Sequence, residues 1–252
     1  MTAQTLPKKL NKEPLVDAVF EIRFSSSTPA SSVLPGFFFA KAEQPTEWRV
    51  EPLPVAEIPS QMRNTDPNLR YQPLMRIHWD NFVILISDTS LGVGFKLPYP
   101  GWINFRGQII KTVKLLADTK IVQNIERYSL KYIDVIDGRN LEEQIQRINM
   151  DLRIGSHTLK EETFTVRLQI SHDSFINIIQ IAAPVNVNMV DGNVRNGALV
   201  DTDTICNHQT SDLRQFIDEL PNRLDEIHLE NKKMFFACLT PETIIYLEPV
   251  YE

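Results

Sequence analysis

Residues Tyr99 to Asp137 constrain the fold of this chain more tightly than any other stretch. After Tyr-Pro-Gly, the side chains Trp102, Phe105, Ile109, Val113 and Leu116 recur at steps of three and four residues. That spacing predicts a helix with one apolar side, which has to lie on a sheet to leave water. A strand over about Ile125 to Ile136 follows, with Tyr128, Leu130, Tyr132 and Ile136 sharing one face with Asp134. Arg127, Ser129 and Lys131 take the opposite face, ahead of Ile133 and Val135.

The same two periods organise the rest of the chain. Ala18, Phe20, Ile22 and Phe24 alternate with Glu21 and Arg23, the pattern of a half-buried strand. A Ser-rich turn leads to Pro35-Gly36-Phe37-Phe38-Phe39, where a short helix is expected. Three consecutive phenylalanines cannot share one stripe of a helix, so one of them is expected at an interface. Prolines at 45, 52, 54, 59, 67 and 73 predict a long surface connection of short extended pieces. Leu74 to Trp79 and Phe82 to Ser87, joined at Asp80-Asn81, read as a hairpin, and Leu91 to Leu97 as a further strand.

Beyond Asp137-Gly138, Asn140 and Glu143 predict a capped short helix carrying Leu141, Ile145 and Ile148. Phe164, Val166, Leu168 and Ile170 alternate in a strand, His172-Asp173-Ser174 turns it, and Phe175 to Ala183 returns. Pro184 to Asn196 is expected to be a mobile loop and Gly197 to Cys206 a strand. A helix from Ser211 is expected to break at Pro221 and to resume through Leu224, Ile227, Met234 and Phe235. Thr243 to Leu247 reads as a short strand or extended tail, and the first dozen residues as a loose arm. The fold class that follows is α+β, with antiparallel meanders packed against long amphipathic helices. Two halves of similar plan are expected, 1–137 and 138–252, the second ending in the long broken helix.

Composition is ordinary for a globular chain, 42% hydrophobic and 23% charged. No apolar run approaches the ~18 residues of a membrane helix, and no secretory signal is recognisable, so a cytoplasmic location without membrane attachment is expected. Cys206 and Cys238 are too few for a disulfide framework. Net charge is −6, yet Lys96, Arg106, Lys111, Lys114, Lys120, Arg127 and Lys131 crowd 96–131, while 201–252 is acidic. The basic stretch leaves nucleic-acid binding open without favouring it; the polarity itself suits an encounter with a charged partner.

Catalytic signatures are scarce. The five histidines form no i, i+4 pair, no Gly-rich phosphate loop or Gly-x-Ser-x-Gly elbow occurs, and no cofactor or metal site is expected. Asp201 and Asp203 would project from one strand face and, with Asp134, could hold a divalent cation as a nuclease does. The ligand or interface candidates are Phe37, Phe38, Phe39, Tyr99, Trp102, Phe105, Arg106, Tyr128, Lys131 and Tyr132. Several of these converge on one helix and one strand, where a cavity for a small apolar ligand could lie.

The run Glu13-Pro14-Leu15-Val16-Asp17-Ala18-Val19-Phe20-Glu21-Ile22-Arg23-Phe24, the run Glu126 to Asp134 and the closing His228 to Thr240 carry a resemblance over nearly the whole chain. They resemble a sporadically distributed family of functionally uncharacterised bacterial and archaeal proteins of about this length. The patchy distribution of that family implies a defence or toxin-antitoxin setting and supplies no catalytic residues to carry over. The expected function is therefore non-enzymatic: binding of another protein, or of a second copy in a homodimer, as an accessory or regulatory component. A helix-grip-like binder of a small apolar ligand is the alternative, and a metal-dependent nuclease a more distant one.

Overall fold

The computed structural model describes residues 5–42, 45–189 and 192–251. In chain order the strands are β1 (Lys9–Leu10), β2 (Leu15–Ser26), β3 (Trp48–Pro52), β4 (Met75–Trp79), β5 (Phe82–Ile86), β6 (Ser90–Phe95), β7 (Val122–Asp137), β8 (Arg153–Ile154), β9 (His157–Thr158), β10 (Phe164–His172), β11 (Phe175–Asn188), β12 (Val194–Thr210) and β13 (Pro249–Val250). The helices are α1 (Ala30–Lys41), α2 (Ser60–Thr65), α3 (Trp102–Asp118), α4 (Leu141–Gln146), α5 (Leu213–Ala237) and α6 (Pro241–Tyr246). Nine strands hydrogen-bond in the order β10-β11-β12-β7-β2-β6-β5-β4-β3. The class is α+β, with a large antiparallel sheet. Two compact units result, Val19–Leu130 with Ile205–Ile227, and Met1–Ala18 with Lys131–Thr204 and His228–Glu252. Neither is a continuous stretch of chain; β2, β7, β12 and α5 each run from one unit into the other.

The unit built on Val19–Leu130 is a meander, β3-β4-β5-β6, closed by β2. Asp80 takes a positive φ of 52° in the β4–β5 turn, a conformation that Asp tolerates better than most residues. Phe20, Ile22 and Phe24 are fully buried, as the alternation of β2 requires. From α3, Phe105, Ile109, Val113 and Leu116 are buried, whereas Trp102 is only half-buried at the first turn. Helix α1 starts earlier than its Pro-Gly pair suggests, at Ala30, and buries Leu34 and Phe38.

In the other unit, a core of Ile136, Ile148, Ile179, Ile181, Ala198, Val200, Phe235, Phe236 and Leu239 is flanked by Leu141, Phe164 and Tyr246. Asn140 caps α4 by accepting from the Glu143 amide at 2.9 Å, as its spacing predicts, and Glu143 accepts in return from the Arg139 amide at 3.0 Å.

Four expectations need correction. Helix α5 is unbroken through Pro221. Proline removes one intrahelical hydrogen bond, at a cost of about 3 kcal/mol, but Phe216, Leu220, Leu224 and Ile227 on either side are all buried and offset it at ~1.5–3 kcal/mol each. The region 184–196 is mostly strand, since β11 runs to Asn188 and β12 starts at Val194. Val185 and Val187 continue the alternation of β11, and of the expected loop Val190 and Asp191 lie outside the described residues. Thr243 to Tyr246 is helical, with Leu247 as the C-cap: Thr240 accepts from the Thr243 amide at 3.3 Å and Pro241 occupies the first helical position, a start signal that outweighs β-branched propensity. The N-terminal arm is tied down where it is described, because β1 pairs with β13 and the Lys8 amide donates to the Val250 carbonyl at 2.6 Å.

Candidate functional site

Among the described residues strand β10 lies outermost in the sheet order and is paired only with β11, in unbroken antiparallel register from Phe164↔Ala183 to His172↔Phe175. Its even-numbered residues, Phe164, Val166, Leu168 and Ile170, are apolar, and its odd-numbered ones, Thr165, Arg167, Gln169 and Ser171, are polar. Phe164 reaches the core, but Leu168 and Ile170 stand 51% and 41% exposed. A two-residue turn, Asp173-Ser174, closes the hairpin, with Asp173 at φ 51°. The pair flanking such a turn exchanges hydrogen bonds, so the even-numbered residues bond to β11 and the odd-numbered ones aim N–H and C=O outward. Natural edges are blunted by shortness, proline or charge. Strand β3 has all three, being five residues long with Arg49, Glu51 and Pro52; β10 has nine residues, one arginine and no proline.

Beneath its last residue β10 is held by a buried polar network. His172 Nδ1 donates to Glu230 Oε1 at 2.9 Å, and Asn177 Nδ2 donates to the same oxygen at 3.0 Å. Asn177 Oδ1 accepts from Thr204 Oγ1 at 2.8 Å; Thr204 Oγ1 accepts from Asn231 Nδ2 at 3.1 Å. Asn231 Oδ1 in turn accepts from Thr202 Oγ1 at 3.1 Å, and its amide also donates to the Thr202 carbonyl at 2.9 Å. Glu230, Asn177, Thr202, Thr204 and Asn231 are all buried, whereas the imidazole is half exposed. The hydrogen bonds run in one direction from Thr202 to the carboxylate and join β10, β11, β12 and α5. A network satisfied in this way fixes one geometry, because any other leaves polar groups unpaired in a low dielectric.

The residues singled out from the sequence fall into separate places. Phe38 is buried against Trp79, ring centroids 6.4 Å apart, while Phe39 is 62% exposed and leans on Trp48 at 5.7 Å. Phe37 is half-buried, with Lys41 Nζ 6.0 Å from its ring. Tyr99, Trp102 and Phe105 do come together: Phe105 is fully buried between Phe95 at 5.3 Å, Trp102 at 6.3 Å and Tyr99 at 6.4 Å. Trp102 Nε1 and Arg106 Nη2 both reach Asp225, each at 2.9 Å. Tyr128 packs instead on Phe216, and burial, followed by the Cys206 thiol, pushes its hydroxyl well up. Tyr132 lies beside the His228 ring, tilted 47° to it with the centroids 6.0 Å apart.

Tertiary pairing also rewrites the charge map. Lys96 meets Glu47 at 2.6 Å, Arg106 meets Asp225, Arg127 meets Glu21 at 3.5 Å and Lys131 meets Asp201 at 2.8 Å. Asp201 and Asp225 belong to the acidic C-terminal segment, so part of the charge asymmetry is spent inside the chain. Among the described residues no group of three or more His, Cys, Asp or Glu is placed to hold a metal ion.

Burial holds the Asp134 carboxyl well above its ordinary range, and the nearby Glu13 adds to the effect. Below that range Asp134 is protonated both folded and unfolded and costs nothing. As pH rises through about 4 the unfolded chain loses this proton while the folded chain keeps it, so stability falls until the folded group also ionises. Asp134→Asn removes that slope. We expect it to raise stability at pH 7 relative to pH 4.5 by on the order of 1 kcal/mol against the wild type, read from urea midpoints at the two pH values. An equal difference at both would show that Asp134 does not titrate differently on folding.

In the sequence His172 reads as a turn residue and Glu230 as part of an acidic helix face. The one available signal was polar side chains on otherwise apolar faces: Asn231 at helical spacing from Ile227, Met234 and Phe235, and Thr202 and Thr204 at the two-residue step between Val200 and Cys206. No described helix is long and apolar enough to cross a membrane. No protein-family model matches the chain, and no curated protein matches it in sequence.

Proposed function

We propose that this is a non-enzymatic binding protein that captures another polypeptide as an added strand along β10. The observation that carries the reading is the open edge itself: nine residues, apolar on one face, with unpaired outward amides expected at Thr165, Arg167, Gln169 and Ser171. An occupant of matching chemistry is an extended segment alternating apolar and polar residues, with a carboxylate within reach of Arg167. The buried network lowers the cost of binding, since an edge already held in one geometry has little left to lose on docking. A cytoplasmic setting within a defence or toxin-antitoxin system rests on the family resemblance, and a shared plan for the two halves rests on the recurrence of a meander followed by a helix.

Gln169→Pro tests this directly. Proline there removes an outward N–H and spares the hydrogen bonds to β11. Purification from native cells should recover a polypeptide at fixed ratio with the wild type and at least ~10-fold less with the variant, the loss expected from about 1.4 kcal/mol. Equal recovery by both forms, or no associated chain of any kind with the wild type, overturns the reading.

A further inference from the structure

We infer that the occupant of the β10 edge is a second copy of the same chain, paired antiparallel about a two-fold axis at Gln169. This deepens the strand-addition reading and rests on it. Two identical edges can meet only in registers that place outward-facing residues opposite outward-facing residues, which restricts the centre to a residue of β10 or a neighbour of it. Centred on Arg167, the two guanidiniums face each other directly. Centred on Leu168, Arg167 lies diagonal to its own copy, still within reach on the same face. Centred on Ile170, only Leu168 to His172 overlap.

The register centred on Gln169 avoids all three problems. Val166 to His172 then overlap, Gln169 faces its copy, Leu168 faces Ile170 of the second chain, and Arg167 faces Ser171. Diagonal to Arg167 comes Asp173 of the second copy, whose side chain is 83% exposed in the hairpin turn. A diagonal separation of about 7–8 Å is within the reach of an arginine, so each end of the interface gains an opposite-charge pair. Leu168 and Ile170, the two apolar side chains that β10 leaves in water, become each other's neighbours across the axis. About six new backbone hydrogen bonds form, because each facing pair of outward residues exchanges two. Val166 is placed opposite His172 of the second copy, and the bond from His172 Nδ1 to Glu230 leaves that ring in a fixed position to receive it.

The interface is small, at the low end of specific association, so a dissociation constant on the order of 10 µM is expected. Two measurements on the full chain test it. Sedimentation equilibrium of the wild type from ~1 to ~200 µM should show the 29.0 kDa chain passing to a dimer, with the transition moved at least ~10-fold higher in concentration by Gln169→Pro. The second uses disulfide trapping, which is clean because Cys206 and Cys238 are both buried. Gln169→Cys brings its Cα to about 5.5 Å from its copy, inside disulfide reach, and should cross-link under mild oxidation. Thr165→Cys should not: in this register it lies eight positions from its copy, ~27 Å at ~3.4 Å per residue. A wild type that stays monomeric at ~200 µM, or equal cross-linking by the two cysteine variants, overturns the inference. Capture of a different polypeptide that is lost with Gln169→Pro, alongside a monomeric wild type, also overturns it while leaving the strand-addition reading standing.

Discussion

Gly197→Ala should be among the most damaging single-methyl additions this chain can receive. A Cβ built on Gly197 would sit 2.1 Å from the Ile136 carbonyl oxygen, 2.7 Å from its carbon and 3.0 Å from Val135 Cγ1. Two of those three atoms are backbone, so no rotamer change relieves the contact and the main chain has to shift by about 1 Å. Ala198, Val200 and Ile136 beside it are buried in one core, where packing is too dense to absorb such a shift. We expect a loss of about 3–5 kcal/mol, above the usual cost of overpacking because backbone must move. Set against a total stability of roughly 5–15 kcal/mol, that removes a large share of what holds the chain folded. The urea midpoint measures it, with Gly107→Ala as the control. Gly107 is exposed on α3 with nothing within 4 Å of a built Cβ, and there alanine should stabilise by about 0.5–1 kcal/mol. Similar midpoints for the two variants would show that β12 does not pass so close to Ile136.

Glu230→Ala should cost about 2–4 kcal/mol, since it strands the buried Asn177 amide and removes the acceptor that orients His172. Glu230→Gln keeps one acceptor oxygen and close to the same volume, so its cost should be nearer 1–2 kcal/mol. The ordering matters more than either figure: a side chain that merely filled space would make the glutamine variant neutral. Beyond global stability, the alanine variant frees the end of β10. Amide exchange of β10 should accelerate well beyond that of α3, whose packing the change does not touch. Uniform acceleration throughout the chain would mean that the network holds the fold as a whole and not this strand.

The parts of the fold that could be read in the sequence are those set by local periodicity. Phe20, Ile22 and Phe24 had to share a face of a strand, and Phe105, Ile109, Val113 and Leu116 a face of a helix, whatever lay beyond them. Asn140 and Glu143 announced a helix start because capping is settled within four residues. Where a local rule met an opposing long-range term, the local rule lost. Pro221 ought to end α5 by its own chemistry, but four buried side chains around it outweigh one missing hydrogen bond. Asn-rich and Gly-containing composition suggested a loop at 184–196, and the pairing of β11 and β12 overrode it.

The candidate site was the least legible part, for a physical reason. The alternation of Phe164, Val166, Leu168 and Ile170 is visible in the sequence and fixes a two-faced strand, but nothing local says whether the strand lies inside a sheet or at its margin. That depends on which strands pair, and only the tertiary arrangement leaves β10 outermost with Leu168 and Ile170 in water. His172 and Glu230 stand 58 positions apart, so their partnership exists only once β10 and α5 are brought together. Charge behaves in the same way: a list of residues shows a basic stretch and an acidic one, whereas Lys131 on Asp201 and Arg106 on Asp225 show part of that polarity neutralised within the fold. Periodicity determined which residues form helices and strands and which of their faces are dry, because those depend on neighbours a few residues away. Edge exposure, ion pairing and the buried network were decided by contacts between residues distant in the chain, and the energy of those contacts exists only in the folded molecule.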